Sequence, residues 1–369
     1  MRFLKPIFIM LLVFYGVTST FSQQRQEDTI CYFTTPTLPQ NVADVNSILI
    51  DTGGVSAPKD TLFQLLTAGG DPISYYRKIS TEVCFDGSCR LLRVDLYWNV
   101  TGRYLGFELS PKEFLSKAEH EPFNEQEYQQ LHAILADSLS PIGNFNYQNL
   151  IPQNSAAEGV DAVTRPTSKD VLPFVVKGAV FTTHKMWNLV YGQVQRDVEH
   201  ATEAALNPGF LLDLLNSDDI WDRYWALDRM HMLSDHPLQV KDKVVGFLCD
   251  SSYNLVLHAL TVLPKEWGED SSFQQKLWLA FDCVPAALKP KVMENLGTYK
   301  KLDRSIMLDI TDRLPTMYGP VLTAALQCLR NYLQKEPEIL RRVIALQDHN
   351  NPYIAKQIKK FLQEVPTID

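Results

Sequence analysis

Apolar positions in the second half of the chain recur with a step of 33 residues. Starting from Leu227, the step lands on Leu260, Met293 and Leu326; from Met230 it lands on Leu263, Leu296, Leu329 and Leu362. Ala226 leads in the same way to Ala259, Val292, Ala325 and Ile358, and Leu215 to Leu248, Phe281 and Leu314, with Leu346 one residue short of the next step. Columns that stay apolar through successive copies predict one helix pair per unit, with neighbouring units stacked over a continuous core. Upstream, the pattern changes. From 82 to 109, β-branched and aromatic runs are divided by Asp86-Gly87 and Thr101-Gly102, which predicts a meander of about three strands. A helix is expected to start at Ser110-Pro111, with Phe114 and Leu115 apolar, and another to cover 124–139 with Tyr128, Leu131, Ile134 and Leu135 on one side. A third is expected over 177–194, carrying Val180, Thr183, Trp187, Val190 and Tyr191. Within 23–80, Asp60 to Ala68 reads as a short helix ended by Gly69-Gly70, and the remainder as partly disordered.

The 33-residue units resemble HEAT-like repeats. Asn216-Ser217-Asp218-Asp219, Asp250-Ser251-Ser252 and Asp348-His349-Asn350-Asn351-Pro352 each fall at a polar turn before the second helix of a pair, and Pro285 and Pro315 fall near the turns of their own copies. The Thr-Pro-Leu-His signature of ankyrin repeats is absent, and the landmarks of tetratricopeptide repeats do not line up. Asn207-Pro208-Gly209 opens the array, and the polar stretch 195–205 reads as the junction before it. The organisation expected is a leader (1–22), an amino-terminal region (23–80), an α+β domain (81–198) and an all-α solenoid (206–366).

Composition changes this picture only in excluding functions. Hydrophobic residues at 45% and charged residues at 21% are globular values, and 369 residues exceed what one core usually holds. A formal net charge of −8 argues against wrapping nucleic acid, whose phosphates demand a basic stripe. Met1-Arg2 and Lys5, the apolar run from Pro6 to Val17 and Thr20-Phe21-Ser22 read as a signal peptide cleaved after Ser22. That run is short for a membrane span and no cysteine stands at the cut, so the mature chain is expected to be exported, periplasmic or extracellular, soluble and without an integral membrane segment. Six cysteines fit such a compartment. Cys84 and Cys89 flank Phe-Asp-Gly-Ser and are candidates for a hairpin disulfide, with a metal or redox pair as the rival reading; Cys249, Cys283 and Cys328 sit in apolar helical contexts and read as buried thiols, and Cys31 is unassigned.

The segment from Val160 to Ser168 carries the most specific chemistry. Val-Asp-Ala-Val-Thr-Arg-Pro-Thr-Ser resembles the flavin-attachment motif of the extracytoplasmic FMN-binding domains of Na+-pumping quinone reductase and Rnf-type complexes. The resemblance covers roughly residues 82 to 195 and implies an α+β flavin-binding-like domain in which FMN is joined through its phosphate to a threonine. It places Asp161, Thr164 and Thr167 in the motif's positions, with Thr167 the candidate acceptor and Ser168 following it. Arg165 and Pro166 stand where the family carries Gly and Ala, so bulk, charge and a fixed φ occupy the place where a transferase needs close backbone approach. Arg165 also offers a planar fork for a flavin phosphate. Covalent FMN at Thr167, non-covalent flavin or another anion, and a vestigial turn with no cofactor are the three readings left open.

Two enzyme-like patterns carry less. Ile48-Leu49-Ile50-Asp51-Thr52-Gly53-Gly54 matches the surroundings of an aspartic-protease carboxylate, but that chemistry needs a second Asp-Thr/Ser-Gly and none is present, so an exposed turn before a helix is expected. None of the eight histidines pairs with another at i, i+3 or i, i+4, which leaves a zinc site without support. Two functions follow. In one, FMN relays electrons outside the cytoplasmic membrane, with Tyr97, Trp98, Tyr104 and Trp187 as candidate flavin-facing rings against the alternative of core packing, while the repeats dock a redox partner. In the other, the flavin-like domain is only a platform and the chain is a non-catalytic interaction or assembly factor that binds a protein through its repeats.

Overall fold

The structure, a computed structural model, describes residues 29–34, 37–38, 41–50, 60–83, 90–117, 120–150 and 170–364. Its first layer is a six-stranded antiparallel sheet of β1 (Ile30–Phe33), β2 (Asp44–Ile50), β3 (Asp60–Leu66), β4 (Pro72–Thr81), β5 (Leu92–Asn99) and β6 (Tyr104–Leu109), in the order β1-β6-β5-β4-β3-β2. Period-two patterning is clearest in β5, where Leu92, Val94, Leu96 and Trp98 are buried while Arg93, Asp95 and Tyr97 lie on the other face. The expected Thr101-Gly102 turn joins β5 to β6. Gly102 takes φ 79°, a left-handed conformation that a side chain resists, and its N–H donates to the Asn99 carbonyl.

Three expectations are corrected in this half. The helix expected at 60–68 is β3: its leucines allow a helical spacing, but pairing with β2 on one side and β4 on the other overrides local preference. Gly69-Gly70 is instead the turn into β4, with Gly70 at φ 88° and Thr67 Oγ1 accepting from the N–H groups of Gly69 and Asp71. Nor is the amino-terminal region separate: its described residues supply β1 to β3 and most of β4 of the sheet. The helix expected at Ser110-Pro111 is also absent. Lys112 lies at φ 71°, and the chain runs on to a bridge between Ser116 and Pro122, held to the next helix by the Leu115 N–H donating to the Tyr128 hydroxyl.

Helix α1 (Glu125–Ala136) is the one expected over 124–139. Asn124 caps it in a reciprocal box with Glu127, and Tyr128, Leu131 and Leu135 are buried. The helix expected over 177–194 is split at Tyr191-Gly192 into α2 (Val180–Val190) and α3 (Gln193–Ala205). The stretch 195–205, expected to be a junction, is thus helical, and its inner side is built into the fold: Val198 and Thr202 are fully buried, and the Thr202 hydroxyl donates to the Val100 carbonyl (2.6 Å) and meets the Tyr75 hydroxyl (2.9 Å). Polar positions there mark the solvent side of an amphipathic helix.

Asn207 accepts from the N–H groups of Gly209 and Phe210 and opens an all-α layer at the expected place. First helices α4 (Pro208–Asn216), α6 (Leu238–Gly246), α8 (Ser271–Ala280), α10 (Arg304–Arg313) and α12 (Pro337–Ala345) alternate with second helices α5 (Ile220–Arg229), α7 (Tyr253–Val262), α9 (Lys289–Gly297), α11 (Gly319–Arg330) and α13 (Pro352–Glu364). Contacts run along each series, α4 to α6 to α8 and α5 to α7 to α9 to α11. The column Ala226, Ala259, Val292, Ala325, Ile358 is wholly inaccessible to solvent, and Leu227, Leu260, Met293 and Leu326 are buried beside it. Exposed ion pairs repeat on the surface, among them Arg313–Asp282 and Arg342–Asp312, but solvent screening leaves such pairs little share in stability. Burial of the columns holds the stack. Cys249 and Cys283, expected as buried thiols, are instead disulfide-bonded across 34 residues with Cα atoms 5.0 Å apart, and so tie equivalent turns of adjacent units; Cys328 is a buried thiol as expected.

Sheet and stack share one hydrophobic core that runs from Leu38 to Phe361. Their polar junction centres on Asp222, the fully buried first-turn carboxylate of α5. Its Oδ1 accepts from Asn99 Nδ2 (3.0 Å), Thr101 Oγ1 (3.1 Å) and an Arg103 guanidinium nitrogen (2.6 Å), while Oδ2 accepts from Ser217 Oγ (2.8 Å). Arg103 reaches Asp219 as well, at 2.7 Å. Asp222→Ala strips the donors of Asn99, Thr101 and Ser217 of their shared buried acceptor, while Arg103 keeps Asp219, and should destabilise the chain by about 1–3 kcal/mol in urea unfolding, with hydrogen exchange rising first at 99–103. Replacing Cys249 and Cys283 together by Ser should cost about 3–4 kcal/mol in the same assay, the chain-entropy value for a loop of this length; an unchanged midpoint would show that the bond does not constrain the unfolded chain.

Candidate functional site

Asp161, Thr164, Arg165, Thr167 and Ser168, the residues expected at a flavin site, lie outside the described residues, as do Cys84, Cys89 and Asp51-Thr52-Gly53-Gly54. What is described is the pair of anchors on either side of the motif. Leu150 and Val171 are both fully buried in a small second core with Ile142, Val175 and Val180. Beside it, His184 Nε2 contacts the Phe145 carbonyl at 2.7 Å and the Asn188 amide at 3.1 Å. The helix expected after Ile50 is replaced by β3, the next described element.

The four rings expected as candidates for a flavin face share no open face: Trp98 and Tyr104 are cross-strand neighbours on the buried side of the sheet, and Tyr97 lies on the other side. Trp98 is fully buried under the helices and donates from Nε1 to the Val190 carbonyl at 2.9 Å. Tyr104 is buried and bonds His132 Nδ1 at 2.9 Å, and desolvation raises the phenol's pKa well above its ordinary range while lowering that of His132. Trp187 packs against Tyr191 and donates to the Asp137 carbonyl. Tyr97 points to the opposite face of the sheet from Trp98, since neighbours along a strand alternate. Core packing accounts for all of them except Tyr97.

Tyr97 belongs to a row that the sequence reading did not find. Strand register aligns Phe63, Tyr76, Tyr97, Gly106 and Phe33 across β3, β4, β5, β6 and β1 on the sheet face turned away from the core. Phe63 stacks on Tyr76 with centroids 4.7 Å apart, Tyr76 on Tyr97 at 5.3 Å, and Phe33 meets Tyr97 edge-on at 4.7 Å. Gly106 makes the last contact possible, because a Cβ there would collide with the Tyr32 carbonyl oxygen and the Phe33 ring. Rings stacked on one another turn their edges, not their faces, to solvent, so the row is a ridge and not a platform for stacking a planar ligand.

The adjacent row is polar: Lys78, Asp95, Glu108 and Cys31 lie side by side. Burial raises the Asp95 carboxyl's pKa against the pull of Lys78, and Glu108 adds to the rise. Burial and the Glu108 charge likewise hold the Cys31 thiol up, which disfavours its reactive thiolate, and they raise the Tyr97 phenol, which donates to Glu108 Oε2 at 3.1 Å. The only sequence signal for either row is the two-residue alternation within each strand; which residues become neighbours depends on register.

The helical stack has its own cleft, of about 490 Å³, lined by His231, His236, Lys241, Glu266 and Trp267 among others. His236 is fixed in its wall: Nδ1 accepts from Trp267 Nε1 (3.3 Å), so Nε2 carries the hydrogen and donates to the Met230 carbonyl (2.9 Å). Both nitrogens are engaged, which suits a structural wall better than proton transfer. Among the described residues no group of three or more His, Cys, Asp or Glu side chains is placed to hold a metal ion. Comparison with protein-family models, with curated proteins and with solved structures found no match to this chain. Gly106→Ala should break the ring contact and strain the β1–β6 pairing at a cost of roughly 1–3 kcal/mol, seen as a lower unfolding midpoint with loss of near-ultraviolet aromatic dichroism; retention of both would show that the ridge tolerates a Cβ.

Proposed function

We propose that this protein is an exported, non-catalytic interaction scaffold in which a flavin-binding-like platform and a HEAT-like helical stack hold a protein partner as one body. The observation that carries the reading is the junction at Asp222 together with the core that continues through it, since a shared core suppresses relative motion of the two parts. The Cys249–Cys283 bond supports an oxidising compartment. Among the described residues no helix is long and apolar enough to cross a membrane. A net charge of −8 disfavours nucleic acid as the partner.

A second reading keeps the flavin. Its support is the likeness of Asp161, Thr164, Arg165, Thr167 and Ser168 to the attachment motif, with Leu150 before them and Val171 after them sharing one small core. There the residues would bind FMN at Thr167, covalently or not, and Arg165 would pair with its phosphate. Purifying the mature chain after coexpression with a flavin transferase separates the two. The scaffold reading expects a colourless protein of unmodified mass; absorbance at the flavin bands, with a mass increment lost in Thr167→Ala, would replace it with the electron-transfer reading.

A further inference from the structure

Strand β2 is a seven-residue edge whose partner β3 matches it residue for residue, from Asp44 with Leu66 to Ile50 with Asp60, with no bulge. Among the described residues no strand pairs with its outer side, and Asp44, Val45, Asn46 and Ser47 are all exposed. Leu49 is 67% and Val45 48% exposed, on the same face as the Phe63–Tyr76–Tyr97 ridge. Folded proteins protect such edges with short strands, lysines, prolines or bulges. The opposite edge, β1, has only four residues. β2 carries none of these protections; its one charge is Asp44, at its end.

We propose that β2 is a self-association edge: two copies of this chain pair β2 with β2 antiparallel about a two-fold axis at Ser47, which joins their sheets into one. The side-chain pattern selects both the occupant and the register. With Ser47 opposite its own copy, Val45 faces Leu49 of the second chain on the ridge side, and by symmetry Leu49 faces Val45, so each exposed apolar residue covers another. Asn46 faces Ile48 and Asp44 faces Ile50, so the two Asp44 carboxylates stand at opposite ends of the pairing and no like charges meet. A shift of one residue would turn Val45 and Leu49 against the other face and lose this match.

The register has its own test. Sedimentation equilibrium on the mature full-length protein should give a reversible dimer. Val45→Lys/Leu49→Lys puts lysine opposite lysine twice and should weaken the dimer by roughly tenfold or more. Val45→Glu/Leu49→Lys puts glutamate opposite lysine twice and should keep the dissociation constant within about threefold of the parent. Because both side chains are exposed, far-ultraviolet dichroism should stay unchanged in both variants. A parent that stays monomeric, a dimer that survives the double lysine variant, or equal loss in both variants would each overturn the inference.

Discussion

Burial of the Asp222 carboxylate is the constraint on which the arrangement of the two halves depends. A charge taken from water costs several kcal/mol unless its lone pairs are met, and those of Asp222 are met from both layers: Asn99, Thr101 and Arg103 on the β5–β6 turn, and Ser217 at the end of α4. Thr37 adds a further link from the strand connection by donating to Asn99 Oδ1 at 2.9 Å, which orients the amide so that its nitrogen faces the carboxylate. The turn that presents Asn99, Thr101 and Arg103 depends in turn on Gly102 taking a left-handed conformation.

This geometry leaves the sheet with two unlike faces. The inner face spends its large side chains on the core, with Trp98, Tyr75 and Phe107 fully buried under the helices and Thr202 closing the hydrogen bonds of Tyr75. The outer face keeps the aromatic ridge and the carboxylate row in reach of solvent, and it runs out to an edge strand with no protecting charge along its length. The surface available for recognition therefore follows from which face α1, α2 and α3 cover. Arrays of helix pairs bind many kinds of partner, and a rigid union with a sheet enlarges the surface such an array presents.

Legibility differed sharply between the halves. The columns through Ala226, Leu227, Met230 and Leu215 were readable because each repeat faces the same neighbours, so one step recurs along the chain and burial follows it. The same frame relates Cys249 and Cys283, which are 34 residues apart, close to one repeat step, and so stand at equivalent turns. β3 resembles a helix in sequence because Leu62, Leu65 and Leu66 satisfy a helical spacing as well as a strand, and only pairing on both sides separates them. The stretch 195–205 resembles a junction because its polar residues form one side of a helix whose other side is buried. The candidate site is the least legible part: the alignment of Tyr97 with Phe63, Tyr76 and Phe33 depends on the register of successive strand pairings, the last to a strand more remote in the chain.

What the amino-acid order determined unaided was local and periodic: the capped helix at Asn124, the turn at Thr101-Gly102, the opening of the helical layer at Asn207 and the repeated apolar columns behind it. Each depends on side chains within a few residues, or on a step repeated many times. Only the tertiary structure decided that residues before 82 complete the sheet, that Asp222 is the buried tie to it, and that one sheet face and one edge remain open. Strand register and layer docking join residues far apart in the chain, and many such pairings satisfy the same local pattern, so the choice among them falls to long-range packing and to the cost of leaving a buried charge unpaired.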